Sequence, residues 1–136
     1  MKKLFNAVLL GTFLMLASCA REKEPYVFPT TLASRWKLES QQPFPTSDAP
    51  EVIRSLAMPK AWVGKYSIGT RQITVTVYEA AADAVAFEAS QKWRRQDGQM
   101  AFHRGSYFVV VESMGSDTVE LNGIVTAIEA TFDARR

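Results

Sequence analysis

Cysteine and histidine are nearly absent from this chain: its 136 residues contain one of each, Cys19 and His103. A single cysteine excludes an internal disulfide, and a single histidine excludes a His-rich metal site. The glycines form no phosphate-cradling loop, and neither a Gly-x-Ser-x-Gly elbow nor a His-Glu-x-x-His helix is present. Long apolar runs are also missing. Leu4 to Leu16, interrupted by Asn6, Gly11 and Thr12, falls short of the roughly 18–20 residues that a spanning helix needs.

That short run has a different meaning in its setting. Lys2 and Lys3 precede it and small residues follow, the layout of an export signal. The signal ends in Leu16-Ala17-Ser18-Cys19, which resembles the lipobox of bacterial lipoproteins. The resemblance implies cleavage between Ser18 and Cys19, a thioether-linked diacylglycerol on Cys19, and acylation of the new amino group. A buried core cysteine and an uncleaved signal anchor are the alternatives. Their weakness is the position of Cys19 at the end of a signal core and the shortness of that core. Ala20 follows the cysteine where an aspartate would retain the protein at the inner membrane. By analogy with the sorting of Gram-negative lipoproteins, that favours the outer membrane, facing the periplasm.

The expected organisation is a signal peptide over 1–18, a lipidated N-terminus and tether over 19–31, and one domain over 32–136. Lys2 and Lys3 account for two of the 16 basic residues, so the mature chain carries 14 basic against 14 acidic residues. Neutrality argues against nucleic-acid binding, which depends on phosphate neutralisation. Lipidation of Cys19 would leave no thiol for redox chemistry or a thiolate metal site. No cofactor and no metal are expected.

Within the tether, Tyr26, Val27 and Phe28 are apolar enough to dock on the domain. Leu32 to Glu39 reads as a short first strand with Trp36 and Leu38 on one face. Ser47 to Glu51 reads as a helix start, with Asp48 capping and Glu51 reaching back; Met58-Pro59 ends that helix. Trp62 to Ile68 and Arg71 to Glu79 form a hairpin around Gly69-Thr70. Its second strand alternates Ile73, Val75 and Val77 with Thr74, Thr76 and Tyr78.

Ala81 to Arg95 reads as a helix with Ala82, Val85, Ala86, Ala89 and Trp93 on one face. Gln99 to His103 and Ser106 to Ser113 form a second hairpin, and Tyr107 to Val111, apolar on both faces, marks a strand covered on both sides. Asp117-Thr118-Val119-Glu120 caps a final helix carrying Leu121, Ile124, Val125, Ile128 and Phe132. The fold expected is α+β: an antiparallel sheet of about four strands packed on helices, in the order α-β-β-α-β-β-α.

No constellation signals chemistry. His103 ends a hairpin strand, where a histidine is usually a turn residue, and no carboxylate pair shares a strand tip. Glu112 shares a face with Phe108 and Val110, but a strand emerging into water explains it. Lys92, Trp93, Arg94 and Arg95 would suit an anionic headgroup or a carboxylated ligand. The stronger reading is a helix C-terminus, where cations complement the dipole and Trp93 packs inward. Trp36, Trp62, Tyr66 and Tyr78 read as core or cross-strand pairs before they read as a ligand groove.

The ensemble of Ala49-Pro50-Glu51, Tyr66, Ile73 to Tyr78, Ala86-Phe87-Glu88, Gln91 to Arg94 and Tyr107 to Ser113 is similar to an uncharacterised family of small exported bacterial domains with a β-β-α-β-β core. The resemblance implies no activity, substrate or cofactor. The functional expectation is a lipid-anchored envelope protein, attached to the membrane and engaging an envelope protein or a small ligand without catalysis. One alternative is a hydrolase or transferase using His103 or an unsignalled carboxylate. The other is a structural part of an outer-membrane assembly.

Overall fold

The computed structural model describes residues 24–135. The expected signal peptide, with Ser18 and Cys19, lies outside the described residues. In chain order the elements are β1 (Thr31–Leu32), β2 (Trp36–Pro43), a 3-10 turn (Thr46–Asp48), α1 (Glu51–Arg54), β3 (Lys60–Ile68), β4 (Arg71–Glu79), α2 (Asp83–Lys92), β5 (Gln99–Arg104), β6 (Tyr107–Ser113) and α3 (Thr118–Asp133). The strands form one six-stranded sheet ordered β1-β2-β3-β4-β6-β5, antiparallel at every pairing. The fold is α+β.

Side-chain alternation sends each strand's residues to two faces, and both faces are covered. On one face, Trp62, Tyr66, Ile73, Val75, Val77, Val109 and Val111 pack with Leu121, Ile124, Ile128 and Phe132 of α3. On the other, Ala61, Tyr78, Phe108 and Val110 meet Ile53 of α1 and Ala86 and Ala89 of α2. Alanine at those α2 positions lets the helix lie close to the sheet. β6, between β4 and β5, sends Val109 and Val111 to the α3 face and Phe108 and Val110 to the other, which is why it is apolar on both sides.

α3 matches the sequence reading closely. Asp117 accepts a hydrogen bond from the Glu120 backbone N–H at 2.7 Å, and Leu121, Ile124, Ile128 and Phe132 are its buried residues. Both expected hairpins are present, within two residues of their expected ends. In α2, Ala86 and Ala89 are buried, while Phe87 stands 52% exposed.

Two expectations are corrected. The sheet has six strands where about four were expected, because the segment from Leu32 turns back on itself and adds a hairpin. Ala33 and Ser34 make that turn with positive φ, a conformation uncommon outside glycine. β2 then runs on through Glu39-Ser40-Gln41-Gln42, where a register shift between Leu38 and Ser40 breaks the alternation that would reveal a strand. The first helix is also only Glu51–Arg54. Asp48 sits in the preceding 3-10 turn, and Pro50 occupies the N-cap without a side-chain hydrogen bond.

The folded body begins earlier than Leu32. Tyr26 and Phe28 are 4% and 3% exposed, on the face that α3 covers. Tyr26 stacks on Phe132 at 5.2 Å and meets Phe28 edge-on at 4.8 Å. Tyr66 donates its hydroxyl to the Pro29 carbonyl at 2.7 Å. The Phe28 N–H donates to Oε1 of Gln41 at 3.3 Å. From the far end of the chain, Arg135 donates to the Val27 carbonyl at 2.5 Å and lies over the Tyr26 ring at 4.6 Å. Residues 26–30 thus form a strap laid across the sheet.

Candidate functional site

The face that carries α1 and α2 is only partly roofed. Register places Ala61, Tyr78, Phe108 and His103 in one transverse row, and Gln42, Val63, Thr76, Val110 and Ala101 in the next. A third row, Ser40, Lys65, Thr74, Glu112 and Gln99, is polar throughout. The first row lies under the helices. The third is a ledge of polar side chains at the open end of the same face.

A cleft of about 350 Å³ opens between helices and ledge, lined by Pro50, Val52, Lys92, Trp93, Arg94, Gln96 and Gln99. α2 ends at Lys92, and Trp93 leaves helical geometry at ψ 125°. This turns the indole onto Phe108, with ring centroids 5.5 Å apart. Pro50 and Val52, at the start of α1, supply an apolar wall.

No carboxylate is among the cleft's lining residues, and Glu88 and Glu112, beside its rim, are engaged by Lys92 and Gln99. Lys92 is held on the surface by Glu88, one turn back, at 2.5 Å. Gln99 donates to Glu112 at 2.7 Å, which fixes its amide at the edge of the ledge. The Trp93 indole nitrogen is buried and makes no hydrogen bond. Such a buried donor costs ~1–3 kcal/mol until an acceptor reaches it.

A wider depression of about 520 Å³ lies beside Ile53, Leu56 and Met58. Its lining is largely apolar, with Arg54 its one charged member, and it holds no aromatic ring and no amide side chain. The Trp93 cleft combines all of those features and is the stronger candidate site.

His103 stands apart from both. Its ring packs edge-on against Phe87 at 5.4 Å, and among the described residues its imidazole makes no hydrogen bond or ion pair. The carboxylates are also dispersed. Glu120 pairs with Arg71 at 2.7 Å, and Glu129 and Asp133 hold Arg104 at 3.1 and 3.7 Å. Glu112 is exposed. Glu79, at the end of β4, is only 6% exposed. Among the described residues no three His, Cys, Asp or Glu side chains are grouped to hold a metal, and no helix is long and apolar enough to cross a membrane.

The aromatic residues divide cleanly. Trp36, Trp62, Tyr66 and Tyr78 are core residues. Burial pushes the Tyr78 hydroxyl up to about 12 and raises those of Tyr66 and Tyr26 as well, so all three stay protonated at neutral pH. Trp93 alone of the tryptophans lines the cleft, where its sequence neighbours Lys92 and Arg94 join it. That basic-aromatic cluster was visible in sequence. Its opposite wall, Pro50 and Val52, was not, because only the fold brings α1 beside the end of α2.

No protein family, no curated protein and no solved structure matches this chain.

Proposed function

We propose that the chain is a lipid-anchored cell-envelope protein whose domain is a binding module, and that the Trp93 cleft receives its ligand. The observation that carries the binding reading is the cleft's composition: an indole, an apolar wall, two cations, two amides and no carboxylate. That set suits a small amphipathic ligand with an apolar or aromatic body and an acidic group. The body lies against Trp93, Pro50 and Val52, and the acid meets Arg94 and Lys92. A small turn of the indole brings its unpartnered N–H to a ligand acceptor. The anchor reading is supported by the signal layout and by Leu16-Ala17-Ser18-Cys19. It places the domain at the envelope, at the outer membrane facing the periplasm.

The binding reading is tested with anilinonaphthalene sulfonate, an anionic aromatic probe, titrated into the folded protein and followed by fluorescence. Saturable binding is expected, weakened about tenfold by Arg94→Glu, the effect of losing one charge-assisted contact of ~1.4 kcal/mol. Arg54→Glu, beside the wider depression, is expected to leave it unchanged. Equal affinity for wild type and Arg94→Glu overturns this assignment of the cleft.

A further inference from the structure

We infer that the end of the domain carrying Pro25, Val27, Pro43 and Arg135 is seated on the phospholipid surface that holds Cys19. This rests on the lipid anchoring proposed above. The argument begins with length. Tyr26 is fixed in the core, so the chain joining the anchor to the domain can be no longer than the stretch from Cys19 to Tyr26. Seven Cα steps separate Cys19 from Tyr26, and fully extended they reach at most ~25 Å. That reach is less than twice the ~13 Å radius of gyration of a domain this size.

The chemistry at that end matches an interface. Val27 is 58% exposed, and Pro25 and Pro43 are exposed beside it. A groove of about 240 Å³ runs between residues 25–28 and 41–43, with Trp62 among its lining residues. Arg135, spread over the Tyr26 ring at 4.6 Å, offers a guanidinium to phosphate oxygens. Exposed apolar side chains beside a cation suit the headgroup boundary of a bilayer.

Tethering does the rest. A short linker holds this end at an effective concentration in the millimolar range, so even a weak intrinsic affinity for lipid keeps it seated. The Trp93 cleft lies on the opposite face of the sheet from the strap and stays open to solution. Met114, 88% exposed beyond the end of β6, lies at the far end of the sheet from Tyr26.

The test uses the full lipidated chain in vesicles of phosphatidylcholine and phosphatidylglycerol. Val27→Cys and Met114→Cys are labelled with a nitroxide, and collision with a water-soluble paramagnetic reagent is measured. Label at position 27 is expected to be shielded several-fold relative to label at position 114. The shielding is expected to vanish when Cys19→Ser is combined with Val27→Cys. Equal accessibility at the two positions on floated vesicles overturns the seating and leaves the anchor standing. Shielding that persists without Cys19 and without vesicles overturns it too, by assigning the contact to protein. Failure to float, or labelling of the unsubstituted chain at Cys19, overturns the anchor itself.

Discussion

The ring of Phe28 occupies the space over Gly64: a Cβ built on Gly64 would stand 2.6 Å from Phe28 Cδ1. The strap crosses β3 at the one position of that strand's core-facing row that has no side chain. Trp62 and Tyr66 flank it on either side. Gly64→Ala is expected to destabilise the fold by ~1–3 kcal/mol through overpacking. Adding Phe28→Leu should cost less than the two single changes sum to, because the smaller side chain vacates the contested space. Urea unfolding of all four proteins measures the coupling. Strict additivity would mean that the strap does not bear on Gly64.

Base should loosen this protein in a defined window. Tyr78, Tyr66 and Tyr26 have raised hydroxyl pKa values because they are buried. The unfolded chain loses those protons near pH ~10, while the folded chain keeps them. Their contribution to stability is therefore complete below pH ~10 and is lost as pH climbs towards the folded values, at ~1.4 kcal/mol per pH unit for each tyrosine. Unfolding free energy measured from neutral pH upward should be level and then fall steeply. A level profile throughout would sink the prediction.

At the start of α3, Asp117 alone makes the cap. Glu120 gives its carboxylate to Arg71 rather than back to the Asp117 N–H. Asp117→Ala should cost ~1 kcal/mol and Asp117→Asn much less, since asparagine caps nearly as well. Glu120→Gln removes a partly exposed ion pair and should cost ~0–1 kcal/mol. Thermal melts at constant pH separate the two. A larger loss for Glu120→Gln than for Asp117→Ala would reverse the assignment.

Cys19→Ser should release the protein into the soluble envelope fraction or trap the uncut precursor. Membrane fractionation with immunoblotting reads both outcomes. Unchanged membrane retention with normal processing would remove the lipid anchor from the proposal.

What the sequence made legible follows from periodicity. Ile73-Thr74-Val75-Thr76-Val77 and the Leu121–Phe132 stripe each face one apolar layer, so period two and period 3.6 stand out. Of β2 only the first half showed itself, in the strand expected over Leu32 to Glu39, because its residues past Leu38 are exposed and its phase slips at the bulge. The strap was half visible: Tyr26 and Phe28 alternate as a buried strand would, but they sit in a segment rich in proline and charge. In the cleft, Lys92-Trp93-Arg94 could be singled out by type. That Pro50 and Val52 oppose them depends on the crossing of α1 over the sheet, a contact between segments some forty residues apart that no local pattern encodes.

The clasp between Arg135 and Val27 joins residues 108 positions apart, and Phe132 and Tyr26 stack beside it. The first packed segment of the domain meets Gln41, Gly64 and Tyr66 well before this, but its clasp closes only when the last packed segment has been made. Contacts of such long span are slow to form, because the loop must be closed before any of them stabilises the fold. A ribosome delivering this chain from its N-terminus hands over an incomplete core at every stage but the final one. Until Phe132 and Arg135 have been made, the strap lacks the two contacts that hold it from the side of α3.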